Sequence, residues 1–455
     1  MPPILLQTLP YHRDSAEWIG RLSVLTGCIC LESGLTAQKE ARFDILTALP
    51  TAQVRVMAES GAEGGAFVRA QQLLDTHRLP SNRDGVLEHL RHLPFSGGLL
   101  GYFGYEAAEI APKPSDNNGK NPLNSMPLAV FGIYDWAIIV DHQRCSTEFF
   151  MLPQCPAEIR DHVLQWLAAA PDYVREQGVV ALETSFQPLI DRDQYAHAFE
   201  RLQQWILAGD CYQTNLAIPF TAAFKGKAHD VYQRLRQQSQ SPFSAYLDAG
   251  DFQILSVSPE RFLSVNEGRV FTQPIKGTRK RLADPLLDKA IQQDLLDSEK
   301  DRAENLMIVD LLRNDLGRVS VTGSVKTESL FKLHSFTHVH HLISTVSAQL
   351  PVETSPLSVM QSCFPGGSIT GAPKIRAMQI IAQLETVPRT VYCGSIFYCD
   401  YLHRMDSSIL IRTLLSTQQQ LFCWGGSGVV ADSVMAQEYQ ECLDKVSALM
   451  NLPLA

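Results

Sequence analysis

One amine and several carboxylates stand where solvation alone does not account for them. Lys276 follows "RVFTQPI", in which Val270, Thr272 and Pro274 alternate with Phe271, Gln273 and Ile275 as in a half-buried strand. An ammonium group at the end of such a strand is either a solvated charge beside the basic turn Arg279-Lys280-Arg281 or a group placed to react. Glu304 precedes Met307, Ile308 and Leu311 at i+3, i+4 and i+7, so a carboxylate opens the apolar stripe of a helix. Asp301 lies one turn earlier, on the near side of that stripe. A buried lone carboxylate is costly unless it is paired or metal-bound, which leaves a salt bridge and a cation site as the two explanations. In "AQEYQECLDKVSALM", Glu438, Glu441 and Lys445 line one edge of an apolar face made by Tyr439, Cys442, Leu443, Val446, Leu449 and Met450. A Glu441–Lys445 pair at i,i+4 is the plain reading. Two helices that each offer inward carboxylates also suit Mg²⁺, which takes oxygen ligands and keeps waters or substrate oxygens.

Glycine clusters add possible anion sites. Gly425, Gly426 and Gly428 in "CWGGSGVVADS" fall between a strand and the last helix, where backbone N–H groups can approach an anion, although a plain turn is the more frequent explanation of such a cluster. "FPGGSITGAPKIRAM" places Gly366, Gly367 and Gly371 ahead of a helix. "GGLLGYFGYE" fits a strand packed closely on its neighbours better than a dinucleotide loop. Of His338, His340 and His341, the first two share a strand face and the third does not, which gives His341 a hydrogen-bonding role.

The elements that must hold these groups can be traced along the chain. Tyr195, Phe199, Leu202 and Ile206 form a helical stripe with Asp191 or Asp193 as its N-cap. Strands are predicted at 252–257, 268–275, 391–398, 407–415 and 420–424, and helices at about 284–314, 372–384 and 436–450. "AVFGIYDWAIIVDHQ" reads as strand and residues 171–190 as a connector. Strand clusters interleaved with long helices give an α+β fold, divided into an N-terminal segment 1–185 and a segment 186–455 that carries the chemistry.

Composition narrows the class. The chain has 455 residues, 45% hydrophobic and 19% charged, as expected of a soluble globular protein with a sizeable core. A net charge of -9 argues against a general nucleic-acid binder, yet leaves room for an anionic substrate, since charges beyond ~8 Å are screened. The ten cysteines contain no C-x-x-C pair and are expected to be reduced thiols. "MPPILLQTLPYHR" lacks the features of a signal peptide, and "LAVFGIYDWAIIV" falls short of a membrane span, so a cytoplasmic location is expected.

"SPERF", "PIKGT", "DRAENLMIVDLLRNDLGRV", "FPGGSITGAPKIRAM", "GGSGVVADS" and "EYQECLDK" occur in an order and spacing that resembles the chorismate-utilising enzymes, and the resemblance covers the whole chain. It implies two antiparallel β-sheets packed face to face with helices on the outside. At the third position of P-I-x-G-T the anthranilate- and isochorismate-forming branches typically carry alanine. Lys276, together with "GDCYQTNLA", is similar to the branch that makes 4-amino-4-deoxychorismate for 4-aminobenzoate and folate. Anthranilate or isochorismate formation is the alternative, and a catalytically dead chorismate-binding protein a more distant one.

The resemblance makes Lys276 a covalent nucleophile at ring carbon 2 and Glu260 the general acid for the leaving 4-hydroxyl, with ammonia then adding at carbon 4. It makes Glu304 and Glu441 direct Mg²⁺ ligands and Asp301 and Glu438 their water-mediated companions. Thr278, His341, Tyr398, Arg412, Lys445 and the amides around Gly426 and Gly428 become substrate-binding. Ser33, Arg42, Phe43, Pro242, Phe243 and Ser244 match a tryptophan pocket, in which Glu40 replaces an aromatic residue. Phe397 stands where relatives have glycine and either narrows the substrate pocket or points into the core. No G-x-C-x-G elbow is present, so a partner glutamine amidotransferase subunit is expected to supply ammonia.

Overall fold

Along the strand Phe252–Ser258 neighbouring side chains enter different cores: Phe252 and Ile254 join one, Leu255 and Val257 the other. Ala137 and Ile139 part from Ile138 and Val140 in the same way on Trp136–Asp141. Apolar residues on both faces of a strand require a layer on each side of the sheet. The computed structural model describes residues 3–34, 42–58, 65–78, 84–108, 121–169, 178–336 and 339–452, and those residues supply the layers. Thirteen described strands form one sheet and ten another, every pairing between them antiparallel. The sheets face each other across the first core, with Tyr102 against Phe252 at 5.9 Å. Helices Arg192–Leu207, Ala228–Ser239 and Met435–Met450 cover the far side of the larger sheet, and Ala66–His77, Glu299–Gly317 and Pro356–Cys363 contribute to the core of the smaller one. The α+β expectation is met. Both sheets draw strands from either side of residue 185. Among the described residues no helix is long and apolar enough to cross a membrane.

Two segments pass from sheet to sheet side by side. The chain leaves the larger sheet at Ser258 and enters the smaller at Arg261; it returns from Ile409 to Thr413. The passages are bonded to each other: Ser258 Oγ donates to Ile409 O at 2.6 Å, Ile409 N to Glu260 O at 3.1 Å, and Val257 N to Arg412 O at 3.1 Å. The predicted strand at 407–415 is therefore two strands in different sheets, Met405–Ile409 and Thr413–Thr417. Arg412 makes the bend at φ +53°.

Other boundaries shift for local reasons. The helix expected over 284–314 is two, Pro285–Asp297 and Glu299–Gly317, with Ser298 accepting from Asp301 N at 3.3 Å as the cap of the second. Asp191 caps Arg192–Leu207 in a capping box with Gln194. The run expected at 268–275 is interrupted, so Lys276 sits inside a second strand, Ile275–Lys280, rather than at the end of the first, Arg269–Thr272. The glycines at 425–428 form no turn: they lie within the strand Gln420–Val429, where a Cβ on Gly425 would strike the backbone of Cys442 in the last helix.

Phe397 points away from the inter-sheet core and stacks on Phe103 at 4.8 Å and 10°, beneath Phe67 of the helix Ala66–His77. It is a core residue. Replacing it with alanine is expected to cost about 3–5 kcal/mol of stability in a urea titration; a loss under ~1 kcal/mol would mean that the stack contributes little.

Candidate active site

The strand Ile275–Lys280 pairs with Val339–Gln349, and its register slips by one residue: Lys276 faces Leu342, yet Thr278 faces His341. Gly277, at φ +80°, takes up the extra position as a β-bulge. Only glycine fits there, because an added Cβ would lie 2.9 Å from Leu295 and 3.0 Å from Asp301. The bulge presses the strand onto the consecutive helices Pro285–Asp297 and Glu299–Gly317 and re-aims the side chain before it. Thr278 Oγ1 and His341 Nδ1 lie 2.8 Å apart. Burial pulls the His341 imidazole down to about 4, so near neutral pH it is an uncharged hydrogen-bonding group.

Lys276 is half-buried, and its Nζ donates to Ser368 O at 3.4 Å. Arg279 of the basic turn behaves differently, pairing with Asp294 at 2.9 Å and Asp301 at 3.1 Å. Ser368 also donates its Oγ to Glu260 Oε1 at 2.8 Å. Glu260 is buried on the first inter-sheet passage, and burial pushes its carboxyl up to about 7, against the opposing pull of Ser368, Lys276, the Ile275 backbone and Lys445. One serine thus joins the Lys276 amine to a buried acid that ionises near neutrality. Ser368 was not singled out in the sequence; its motif was, but no periodicity marks a loop residue that meets two distant strands.

On the helix Glu299–Gly317, Glu304 is held above the usual carboxylate range by burial; Lys276 and Lys300 oppose this and Glu441 and Asp301 add to it. Glu304, Asp301 and Glu441 therefore face one region. Glu304 has no hydrogen-bond or ion-pair partner among the described residues. Glu441 pairs with Lys445 at 2.5 Å, so the plain i,i+4 reading holds as well. Glu438 is buried and accepts from Ser433 Oγ at 2.7 Å. Among the described residues no three His, Cys, Asp or Glu side chains close on one point to hold a metal unaided.

Cations and glycines make the opposite wall. Lys445 Nζ donates to Gly426 O at 3.0 Å, and Arg412 Nη1 donates to Lys445 O. Arg412 is mostly buried, burial pulls its guanidinium down, and no described carboxylate lies within ion-pair distance of it. The strand Gln420–Val429 pairs along its length with Gln213–Lys225 on one side, but with Thr413–Thr417 only over residues 420–422. The other edge of Gly425–Gly428 is left open. A Cβ on Gly426 would meet Tyr392 Oη at 2.6 Å and Asn215 Oδ1 at 2.7 Å, and one on Gly428 would strike Gln213.

Tyr398 is not brought to this wall. On the strand Ser395–Asp400, Ile396 and Tyr398 share the inner face and line a separate cavity of about 160 Å³, while Phe397 turns outward. The tyrosine beside Gly426 and Arg412 is Tyr392, which precedes that strand and escapes its alternation. The separate cavity collects Ser33, Phe43, Pro242, Phe243 and Ser244, with Arg261 and Asp406 in its wall. Arg42 turns from it to Asp141 at 2.6 Å while its guanidinium lies 4.3 Å from the Phe43 ring centre. Glu40 lies outside the described residues, as does His338.

A family profile described as chorismate binding enzyme matches residues 29–451. An aminodeoxychorismate synthase component 1 from Klebsiella aerogenes is 41% identical over 454 residues, covering 98% of this chain and 98% of its own. One from Escherichia coli K12 is 40% identical over 451 residues, covering 97% of each. The solved anthranilate synthase component I of Streptococcus pneumoniae TIGR4 has a TM-score of 0.78 at 31% identity, covering 90% of this chain and 92% of that one.

The Glu260 carboxyl is expected to be protonated below pH 7 and to ionise through about 7. Difference infrared spectroscopy of the wild type against Glu260→Gln isolates its band; a midpoint near the ordinary ~4.3 would show that the group is solvated.

Proposed function

The chain belongs to the chorismate binding enzyme family, and from that premise we propose that it works as the chorismate-converting component of an aminodeoxychorismate synthase. The reading is carried by Lys276, half-buried, in no ion pair among the described residues, and joined through Ser368 to the buried acid Glu260. The nitrogen lone pair of Lys276 attacks ring carbon 2 of chorismate, both ring double bonds shift by one position, and the C4–O bond breaks. Glu260 gives its proton to the departing oxygen, which leaves as water instead of hydroxide. Ammonia then forms a bond at carbon 4, the double bonds return, and the C2–N bond to Lys276 breaks, freeing the lysine; the new ammonium passes its extra proton back to Glu260, which leaves 4-amino-4-deoxychorismate and the acid ready for another cycle. Two allylic displacements replace one difficult substitution.

Arg412 supports the assignment of an anion site, because a buried guanidinium without a carboxylate partner gains most from a substrate carboxylate. Lys445, the open edge at Gly426 and Gly428, and Tyr392 complete that site for the enolpyruvyl carboxylate. Thr278 and His341 supply uncharged hydrogen bonds on the opposite side. Glu304, with no partner of its own beside like-charged Glu441 and Asp301, fits an oxygen-preferring cation, and the donor set suits Mg²⁺. Glu304 and Glu441 would hold the ion, Asp301 and Glu438 acting through water. When bound, Mg²⁺ supplies a fixed positive charge for the ring carboxylate. The component 1 naming of the relatives implies a second component, and we infer that it is a glutamine amidotransferase that delivers the ammonia. The separate cavity, with Phe43, Phe243 and Tyr398 as aromatic walls and Ser33 and Ser244 as hydroxyl donors, is proposed to take tryptophan.

Lys276→Ala is expected to lower aminodeoxychorismate formation by roughly 10²-fold or more while the protein stays folded. Wild-type protein quenched with chorismate and without ammonia is expected to carry an adduct on the Lys276 peptide by mass spectrometry. An unmodified peptide with near-normal Lys276→Ala activity, or anthranilate and pyruvate as main products, would overturn the reading. Glu304→Gln is expected to abolish most Mg²⁺-dependent activity and to weaken Mg²⁺ binding measured by calorimetry; full activity in excess chelator would refute the metal site.

A further inference from the structure

We propose that Ser368 is a positioning residue that dictates which oxygen of Glu260 carries the proton and holds the Lys276 amine beside it. This rests on Glu260 as proton donor and Lys276 as nucleophile. The Ser368 hydroxyl donates to Glu260 Oε1 at 2.8 Å. A carboxyl oxygen that accepts such a bond is the carbonyl-like one, so the acidic proton is carried by Oε2. The Ser368 carbonyl meanwhile accepts one N–H of Lys276 at 3.4 Å, which turns the nitrogen lone pair away from the loop. One residue thus orients donor and nucleophile together.

The loop is built to hold that residue still. Ile369 O accepts from Asn215 Nδ2 and from Arg389 Nη1, both at 3.1 Å. Buried Lys374 ties the far end to Asp315 Oδ2 at 2.5 Å and to Cys363 O at 2.7 Å. A Cβ on Gly367 would press into Leu311 of the carboxylate helix at 2.5 Å. Along 363–370 every residue is buried except Ser368, which alone is half-exposed. A loop this confined, with one polar residue left open, is a mount for that residue.

A purely structural serine would affect stability and leave the titration of Glu260 unchanged. The charged groups facing Glu260 are Lys276 and Lys445, and the Ser368 bond, like both cations, favours its ionised form. Removing the hydroxyl therefore raises the pH at which the acid is lost. Ser368→Ala and Ser368→Thr are compared with the wild type by infrared titration of Glu260 and by the pH profile of kcat/KM in an ammonium-driven assay. For Ser368→Ala the expected results are a higher titration midpoint, a descending limb displaced to higher pH, and kcat lower by roughly 10- to 100-fold with KM little changed. Ser368→Thr, which keeps the hydroxyl, is expected to restore the midpoint and most of the rate. An unmoved midpoint in Ser368→Ala overturns the proposal, whether or not the rate falls. The titration needs no turnover, so a midpoint that moves in a protein that makes no aminodeoxychorismate upholds the Ser368–Glu260 contact and refutes the reaction instead.

Discussion

Two lengths of backbone that cross from one sheet to the other, and bond to each other on the way, set the terms for everything around them. Ser258, Glu260 and Val257 on one passage meet Ile409 and Arg412 on the other through three hydrogen bonds. Between stacked sheets there is no water to satisfy stray polar groups, so a chain changing layers must find partners at once. These passages use one another. Glu260 and Arg412 are consequently fixed by backbone pairing, the first buried and the second half-buried, where both are partly stripped of water. Their altered protonation preferences follow from the fold and not from any special neighbour.

That placement creates a local imbalance that ordinary ion pairing leaves open. Most charges here are matched: Arg236 with Glu32, Arg389 with Glu385, Lys374 with Asp315. Around the cleft the pattern breaks. Arg412 and Glu304 have no ion-pair partner among the described residues, and the one hydrogen bond of Lys276 goes to a carbonyl. Each gap disfavours the empty site slightly and is relieved by a ligand of opposite sign. Carboxylates on one wall and cations on the other suit a small dianion bridged by a divalent cation. An acidic chain of net charge -9 can host it because only neighbours within a few ångströms count.

How far the sequence reached follows the kind of information each residue carries. Glu304 was legible because a carboxylate at the head of an apolar stripe violates helical patterning. Lys276 was legible within strand alternation, although its strand starts later than expected and owes its aim to the Gly277 bulge. Tyr398 was assigned to the substrate by resemblance alone, and only the stacking of Phe397 on Phe103 shows that its strand turns it to the separate cavity. The glycines at 425–428 resemble a turn in sequence; what makes them glycine is the last helix and the Tyr392, Asn215 and Gln213 side chains, none of them close in the chain. Ser368 lies further still from any one-dimensional signal, joining residue 260 to residue 276 from a loop about a hundred positions away. The sheet passages were hidden for the same reason: a continuous apolar run does not reveal that Met405–Ile409 and Thr413–Thr417 belong to different sheets.

The tripeptide Pro259-Glu260-Arg261 carries this argument to the second cavity. Glu260 serves the cleft, whereas Arg261 lies in the cavity wall, bonded to Asp406 at 3.0 Å and Gln273 at 2.7 Å with its guanidinium 4.9 Å from the Phe243 ring centre. Successive residues entering a strand point to opposite sides, so each site constrains the other through a single peptide link. Pro259 and Arg261, with Phe243 and Ile275, also line a smaller gap between the cavity and the strand of Lys276. The acid can therefore be placed correctly only where Arg261 is also satisfied. A substitution that repacks the aromatic cavity shifts the same backbone that holds Glu260. Close packing leaves no slack to separate the two demands.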